Sequence, residues 1–274
     1  MTTQLILGAG HVGRALLARW VAQGDRPFAT ARSEVRAAEL ARLGAQPILC
    51  DVLVPDTLAA LPPVDVAVWS VGHDRLAGAT IERVYVDGLR HALGHLRAAR
   101  VLYTSSTGVY GPAHEEVDES TPVGPEDAGG RAVAQAEALL RAERPDAIIL
   151  RLAGLYGKGR VIGRRAIETG APIEGDPERW INFLHHEDAA AALALAAEKA
   201  PAGATYNVAD ADPKRRRDYY TLLARLLGRP PPEFVPRGPA GPGRIVRAEK
   251  LRAELGFALA FPSVEEGLPD ALGA

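Results

Sequence analysis

The sequence predicts an α/β fold with a doubly wound parallel sheet, and three observations favour it. Short, nearly uninterrupted apolar runs alternate with helical patterns over the first two thirds of the 274 residues. Such runs are typical of parallel strands covered by helices on both faces. A Gly-x-Gly-x-x-Gly turn joins the first run to the first helical pattern. Hydrophobic residues make up 47% of the chain, enough for a sizeable core.

The patterns predict six strands in the first 152 residues, and these lie at 4–7, 26–31, 47–50, 64–70, 100–105 and 147–152. The predicted helices between them lie at 12–20, 34–43, 56–61, 81–98 and 131–143. Further helices are predicted at 189–199 and 218–228, a strand at 205–208, and turns at 230–232 and 238–243. This order indicates a Rossmann-type core over residues 1–153. Residues 154–274 would complete that core at about 181–208 and form a small C-terminal lobe over the carboxyl ends of the strands, where substrates bind.

The first turn has the chemistry of a phosphate cradle. Gly8 permits the tight turn, Gly10 lets the backbone approach a pyrophosphate, and Gly13 lets the helix pack closely on the strand. The free N–H groups and the dipole at the helix start, around His11 and Val12, would hold the anion. A glycine-rich turn without a ligand is the alternative, but the strand before it and the helix after it favour a dinucleotide site.

The end of the second strand decides which dinucleotide is preferred. Sites for NAD carry an acidic residue there, which accepts a hydrogen bond from the ribose. Here Arg32 and Ser33 follow the strand, with no acid before Glu34. A guanidinium can bind a 2′-phosphate through two donors, and a serine hydroxyl can add a third. The sequence therefore predicts NADP, with NAD as the alternative and a solvated loop arginine as the other interpretation of Arg32.

The ends of the third and fourth strands supply further candidate contacts. Asp51 could accept a hydrogen bond from the adenine amino group, with Val52 packed on the ring, or it could be an ordinary turn aspartate. Backbone at Ser70, Val71 and Gly72 could run beside the cofactor ribose, or Gly72 could simply end a strand.

Hydroxyl groups cluster after the fifth strand, over residues 104–111. These hydroxyls, which include those of Ser106 and Tyr110, could hydrogen-bond a substrate carbonyl or alcohol. A loop that satisfies its own backbone groups is the alternative.

With these motifs together, the chain resembles the extended and atypical short-chain dehydrogenase/reductases, the NAD-dependent epimerase/dehydratase family. The resemblance spans nearly the whole chain, because further motifs follow in the same order at 151–157, 181–190, 206–209, 255–257 and 266–268. It implies a Rossmann fold, a nicotinamide cofactor, and a catalytic hydroxyl that matches Ser106. It also implies the helices 81–98 and 131–143 as the surfaces of a possible homodimer.

One departure from the family pattern concerns proton transfer. The family carries a Tyr-x-x-x-Lys pair, in which the tyrosinate acts as acid/base and the lysine lowers its pKa and holds the nicotinamide ribose. In this chain the matching positions are Gly129 and Val133, and residues 127–135 contain neither Tyr nor Lys. A proton donor could come from elsewhere, and the candidates are Tyr110, Tyr156, Arg131 and His185.

The sequence therefore predicts an NADP-dependent oxidoreductase or epimerase that acts on a sugar-like or carbonyl substrate. Hydride transfer without a tyrosinate is one variant of this hypothesis. A non-catalytic NADP(H)-binding sensor is the alternative from another class, because the usual proton-transfer pair is missing.

The run from His185 to Asp188 suggests a metal cluster at first sight. Adjacent histidines do not readily face one tetrahedral ion, and no second ligand group is suitably spaced. Asp188 is better interpreted as the N-cap of the alanine-rich helix that follows, and no metal is predicted.

Composition limits the classes of partner. A net charge of −2 gives no general reason to expect nucleic acid or an anionic membrane. No apolar run approaches the ~20 residues of a membrane span, and no basic and apolar leader precedes the first strand. The single cysteine, Cys50, ends an apolar run and is interpreted as a buried thiol. The sequence therefore predicts a cytoplasmic protein that acts on a small molecule.

Overall fold

The computed structural model of the chain describes residues 2–74, 78–236 and 243–273. Seven parallel strands form the central sheet of this described part, in the order β3-β2-β1-β4-β5-β6-β7. They are β1 (Gln4–Leu7), β2 (Phe28–Ala31), β3 (Gln46–Leu49), β4 (Val64–Trp69), β5 (Ala98–Ser106), β6 (Ile148–Leu152) and β7 (Thr205–Val208). The predicted α/β doubly wound fold is confirmed.

The helices of the described part cover both faces of the sheet and also build a C-terminal lobe. They are α1 (His11–Ala22), α2 (Glu34–Arg42), α3 (Gly88–His95), α4 (Ala128–Glu143), α5 (Arg164–Thr169), α6 (His186–Lys199), α7 (Arg216–Leu226), α8 (Glu249–Leu255) and α9 (Val264–Leu272). The α1, α2 and α6 helices pack on one face of the sheet, around Ile6 and Val68. The α3 and α4 helices pack on the other, around Leu5 and Trp69. Alternating residues of one strand therefore enter two cores, as a doubly covered sheet requires.

Several predicted boundaries shift in the structure. The helical pattern at 81–98 ends at His95, because Ala98 already pairs with Val64 at the start of β5. The same helical stretch contains a π-helical segment, Arg83–Asp87, directly before α3. Helix α4 begins three residues earlier than predicted, since the Asp127 side chain caps it by accepting from Gly130 N at 2.8 Å.

Beyond β6 the chain both completes the core and builds a lobe. The α6 and β7 elements belong to the core, since β7 pairs with β6 and α6 packs against α1. A separate apolar cluster joins α5, α7 and α9, with Phe183 and Tyr219 at its centre. The division into residues 1–153 and 154–274 remains a prediction. Of the turn predicted at 238–243, the part up to residue 242 lies outside the described residues.

The N-cap prediction for Asp188 is wrong. Helix α6 is capped instead by His185, whose Nδ1 accepts from Glu187 N at 3.3 Å. The Asp188 carboxylate lies within the first turn and accepts from the backbone N–H groups of Ala260 and Phe261, at 2.7 and 3.0 Å. It therefore ties the C-terminal segment to α6, and only the folded chain brings these partners together.

None of the described helices is long and apolar enough to cross a membrane. Within the same residues, no group of three or more His, Cys, Asp or Glu side chains could hold a metal ion. Cys50 is buried, and that burial raises the pKa of its thiol. Cytoplasmic location remains a prediction.

Candidate cofactor and active site

The glycine turn forms a tight loop between β1 and α1. Gly8 has φ of +88°, which favours glycine, and a Cβ there would lie 2.6 Å from Ser70 O. A Cβ on Gly13 would lie 2.5 Å from Gly8 O. The turn is therefore packed against the end of β4 and against its own helix, and side chains at these two positions would displace backbone.

Gly10 differs from its two neighbours in the motif, because it faces open space. A Cβ on Gly10 would meet no described atom within 4 Å. Gly10 precedes α1 directly, so its exposed backbone lies at the start of the helix, where unpaired N–H groups collect. A pyrophosphate would fit this opening and be held by those N–H groups. The residues present thus fit the dinucleotide that the sequence predicts.

His11 places an imidazole at the same opening. Its pKa is lowered by partial burial, by the positive charge of Arg160 and by the neighbouring His186. The ring centroids of His11 and His186 lie 6.2 Å apart. Arg160 belongs to the loop after β6, so the C-terminal half of the chain adds positive charge at the cradle. Val12 is buried in the core beneath the turn.

Arg32 lies at the carboxyl end of β2, as predicted, with its side chain 57% exposed. Its Nη2 lies 3.2 Å from Asp74 Oδ2. Ser33 is the N-cap of α2, and its Oγ accepts from Arg36 N at 3.4 Å. The guanidinium therefore lies exposed and paired with Asp74 at the strand end where a cofactor ribose would lie, and the serine hydroxyl also caps the helix.

The candidates after β3 are engaged in local structure. The Asp51 carboxylate accepts from Leu53 N at 2.9 Å, which is the bond of an Asx turn. Val52 is 8% exposed, and a Cβ on Gly88 of α3 would lie 2.8 Å from its Cγ2. Little of the Val52 side chain is therefore exposed for contact with an adenine ring. Roles for Asp51 and Val52 in cofactor binding remain predictions.

The end of β4 lies beside the glycine turn. A Cβ on Gly8 would touch both Ser70 O and Val71 Cα, at 2.6 Å. Gly72 is exposed and has open space where a side chain would be. Backbone from Ser70 to Gly72 therefore borders the cradle, in the place where the sequence predicts the ribose.

Ser106 ends β5 and lies at the same edge of the sheet. Its Oγ accepts from Gly108 N at 3.0 Å and caps a 3-10 turn, so the hydroxyl hydrogen is not used in that bond. A Cβ on Gly130 would lie 2.6 Å from Gly108 O, which shows how closely the start of α4 approaches this turn. The hydroxyl that the sequence predicts to be catalytic and the helix on which the family carries its acid/base pair are thus neighbours.

The positions of the missing pair lie on α4. A Cβ on Gly129 would lie 3.6 Å from Ile81 Cδ1 and 3.1 Å from Asp127 Oδ1. Val133 is buried in a small cluster with Val109, among others. Neither position holds a group that can exchange a proton.

Tyr110 lies within a buried polar network rather than at an open site. It is 1% exposed, its hydroxyl donates to Asn207 Oδ1 at 2.8 Å, and Arg151 Nη1 donates to its oxygen at 2.9 Å. Arg151 also makes a two-pronged ion pair with Glu137, at 3.0 and 2.8 Å, and Ser105 donates to the same carboxylate at 2.5 Å. Burial raises the pKa of Tyr110. It is a poor candidate for donating a proton to a bound substrate.

The other proton-donor candidates are also engaged. Tyr156 is fully buried, and burial raises its pKa well above the usual range. His185 is fully buried as well, and burial lowers its pKa to about 4. Arg131 donates from Nη1 to Glu126 O on the protein surface.

Two residues at this edge went unnoticed in the sequence. Tyr85, in the π-helical segment, accepts a hydrogen bond from His73 N at 3.3 Å, directly after the Ser70–Gly72 stretch. Arg244, half-buried, donates from Nη1 to Gly111 O at 2.6 Å. No local pattern marks either one, because each reaches the site from an element that the fold brings there.

The chain has a parallel sheet, a glycine cradle at the first turn and a hydroxyl at the end of the fifth strand. Together these features define a nicotinamide-dinucleotide-binding protein of the dehydrogenase/reductase class. The family model described as "NAD dependent epimerase/dehydratase family" matches residues 4–209. The chain belongs to the NAD-dependent epimerase/dehydratase family.

The chain is similar to Protein YeeZ of Escherichia coli (strain K12), with 33% identity over 94% of this chain and 95% of that protein. It is 28% identical to a 3-diazoavenalumate denitrifying reductase of Streptomyces sp, over 96% and 98% of the two chains. The chain is also 28% identical to a ketoreductase of Stigmatella aurantiaca, over 83% of this chain and 74% of that one. That protein is named 4-hydroxy-2-methyl-3-oxo-4-farnesyl-3,4-dihydroquinoline-1-oxide ketoreductase.

Among solved structures, one from Methylobacillus flagellatus named as a putative NAD-dependent epimerase/dehydratase has a TM-score of 0.78 and 30% identity. It covers 99% of this chain and 98% of that chain. A dTDP-glucose 4,6-dehydratase from Streptomyces venezuelae, solved with NAD and TYD bound, has a TM-score of 0.84 but 21% identity, covering 99% and 96% of the two chains. The second likeness concerns the fold alone.

Proposed function

We propose that this protein is an NADP-dependent oxidoreductase that reduces a carbonyl group on a small molecule, sugar-like or otherwise. The observation that carries the proposal is the position of Ser106 at the end of β5, at the same sheet edge as an open glycine cradle. Two relatives are named as reductases, which supports reduction over epimerisation.

The preference for NADP rests on Arg32. Its guanidinium is exposed at the end of β2, in the place where NAD-specific sites carry a carboxylate. A planar cation with several donors suits a 2′-phosphate, and the only acid bonded to Arg32 among the described residues is Asp74. Ser33 lies beside it and can add a hydroxyl.

The chain's own groups would act as follows. When bound, the nicotinamide supplies the hydride that reduces the substrate. The N–H groups after Gly10 hold the pyrophosphate, and the backbone from Ser70 to Gly72 borders the ribose. The Ser106 hydroxyl donates a hydrogen bond to the carbonyl oxygen, where negative charge develops in the transition state.

The Ser106→Ala variant tests this role. Because one donor to the developing oxyanion is lost, we expect kcat to fall about 10²–10³-fold. Carbonyl compounds of different size and charge would be screened with NADPH, and turnover followed by the loss of reduced-nicotinamide absorbance. Ser120→Ala is a suitable control, since that exposed serine bonds only to Asp118 among the described residues. Equal turnover by the Ser106 variant and the wild type would reject the role.

The protein would act as a homodimer, joined through the helical stretch at 81–95 and α4, which lie side by side on one face of the sheet. The outward positions of α4 include Gln135 and Ala138, which are exposed and uncharged. Sedimentation equilibrium tests this assembly: a mass near 29.0 kDa at all concentrations would contradict it. The lobe built from α5, α7 and α9 would select the substrate.

A further inference from the structure

A phenol borders the space left by the missing acid/base pair. Tyr85 lies in the π-helical segment Arg83–Asp87, whose helix packs along α4. Its ring packs against the cluster that contains Val133, the position where the family has lysine. A π-helical segment within a helix is rare and frequently occurs at functional sites.

The register between α4 and the helical stretch that begins at Ile81 brings Tyr85 close to Val133. Ile81 lies against Gly129, since a Cβ on that glycine would be 3.6 Å from Ile81 Cδ1. Tyr85 is four residues after Ile81 and Val133 is four residues after Gly129, so each pair shares one face of its helix. The helix that begins at Ile81 therefore presents the phenol of Tyr85 beside Val133, one helical turn from the position where α4 lacks its tyrosine.

The hydroxyl of Tyr85 also lies at the cofactor edge. It accepts from His73 N at 3.3 Å, and His73 follows directly on the backbone that borders the cradle at Ser70 and Val71. The side chain is half-buried, with its ring in the core and its oxygen at the loop after β4. In this bond Tyr85 is the acceptor, so its own O–H remains available as a donor.

We propose that Tyr85 is the proton donor of this enzyme. The inference rests on the proposed reductase function, which supplies the hydride from the bound reduced nicotinamide. As the carbonyl carbon gains hydride, the O–H bond of Tyr85 breaks and a new O–H bond forms on the carbonyl oxygen. His73 N–H stabilises the phenolate that results, and water then returns the proton. Ser106 holds the same oxygen by its hydroxyl.

Fluorine NMR tests the position of Tyr85 without any substrate. The seven tyrosines would be replaced by 3-fluorotyrosine, and the Tyr85 signal assigned by its loss in Tyr85→Phe. NADP⁺ is the probe, and its binding is followed in parallel by tryptophan fluorescence. We expect the Tyr85 signal to shift in proportion to saturation. The signal of Tyr206, whose hydroxyl bonds to Glu254, should stay in place.

Turnover then tests the proton transfer. With a carbonyl compound that the wild type reduces, Tyr85→Phe should lower kcat about 10²–10⁴-fold, the usual contribution of a general acid. The affinity for NADPH should stay within twofold, because the ring and its packing are kept. Tyr206→Phe, which also loses only a hydroxyl, should leave both quantities unchanged.

The possible failures are distinct. If NADP⁺ binds and the Tyr85 signal does not move, or if Tyr85→Phe turns over as fast as the wild type, the role of Tyr85 is overturned while the reductase proposal stands. If NADP⁺ does not bind, or if no carbonyl compound is reduced, the proposed function fails and the proton-donor role fails with it.

Discussion

Single side chains at the strand ends set the chemistry of the cradle. Gly10 leaves an opening where its neighbours Gly8 and Gly13 are packed against backbone. Arg32 places a cation at the end of β2, and His11 places an imidazole at the start of α1. We expect these positions to bind the cofactor, and we propose that Ser106 and Tyr85 act on the substrate.

The Arg32→Ala variant should lose preference for NADPH over NADH. A charge-assisted hydrogen bond to phosphate contributes about 1–3 kcal/mol, so the ratio of the two dissociation constants should change by that free energy. Fluorescence titrations with both nucleotides measure it. Arg90→Ala is a matched control, since Arg90 is similarly exposed and also pairs with one aspartate, but lies on α3. An unchanged ratio in Arg32→Ala would refute the assignment.

Residues with local signals could be predicted from the sequence, and residues with distant partners could not. The glycine turn is marked by a motif and Arg32 by the strand before it. The structure places the turn between β1 and α1, and Arg32 at the carboxyl end of β2. Tyr110 belongs to a recognisable motif, yet its hydroxyl bonds to Asn207, 97 residues away. Tyr85 has no motif, because its position depends on how two helices pack.

Among the secondary-structure elements, α4 and β6 are joined by a buried ion pair. Arg151 of β6 and Glu137 of α4 are each about 8% exposed in their side chains. Tyr110 and Ser105 complete the hydrogen bonds of this pair. Such a pair contributes little net stability over an apolar replacement, but breaking it leaves a buried charge.

Arg151→Met should therefore lower the free energy of unfolding by about 3–5 kcal/mol, because Glu137 stays buried without its partner. The double variant with Glu137→Leu should lose less than the single one. Arg164→Met breaks an exposed pair with Glu168 and should cost less than about 1 kcal/mol. Urea unfolding measures all three, and an equal small loss for Arg151→Met and Arg164→Met would contradict this explanation.

The elements of the core were largely predictable, because each strand is a short apolar run and most helices show a periodic apolar pattern. The strand at 205–208 was predicted, but its place as the seventh strand beside β6 follows only from tertiary pairing. The end of the third helix and the cap of α6 were misjudged. Ala98 pairs with β4, so the helix ends before that residue. The Asp188 carboxylate bonds to the C-terminal segment, while His185 caps α6.

In the molecule as a whole, one buried acid lies between the central sheet and the C-terminal lobe. Asp210 follows β7 and is 5% exposed, near Lys214 and Glu265. Burial raises its pKa to about 8. The folded protein therefore keeps this proton from about pH 4 to 8, while the unfolded chain releases it, so the stability contributed by Asp210 falls as pH rises through this range.

Asp210→Asn should remove this dependence. Relative to the wild type, its free energy of unfolding should increase by up to about 1.4 kcal/mol per pH unit from about pH 4 to 8, then level off. Urea unfolding at pH 5, 7 and 9 measures the difference. A difference between Asp210→Asn and wild type that is constant with pH would refute the assignment.

The central claim is that the glycine turn holds a nicotinamide dinucleotide, and a fluorescence titration with NADPH tests it most directly. Trp69 ends β4, next to the Ser70 backbone that borders the cradle, so bound cofactor should quench its emission. Gly10→Val fills the open side of the turn and should abolish the quenching with the fold intact. Gly94→Val, at another glycine that faces open space, should not. Saturable quenching in the wild type, lost only in Gly10→Val, is the predicted result; equal affinity for NADPH in all three proteins would contradict the account.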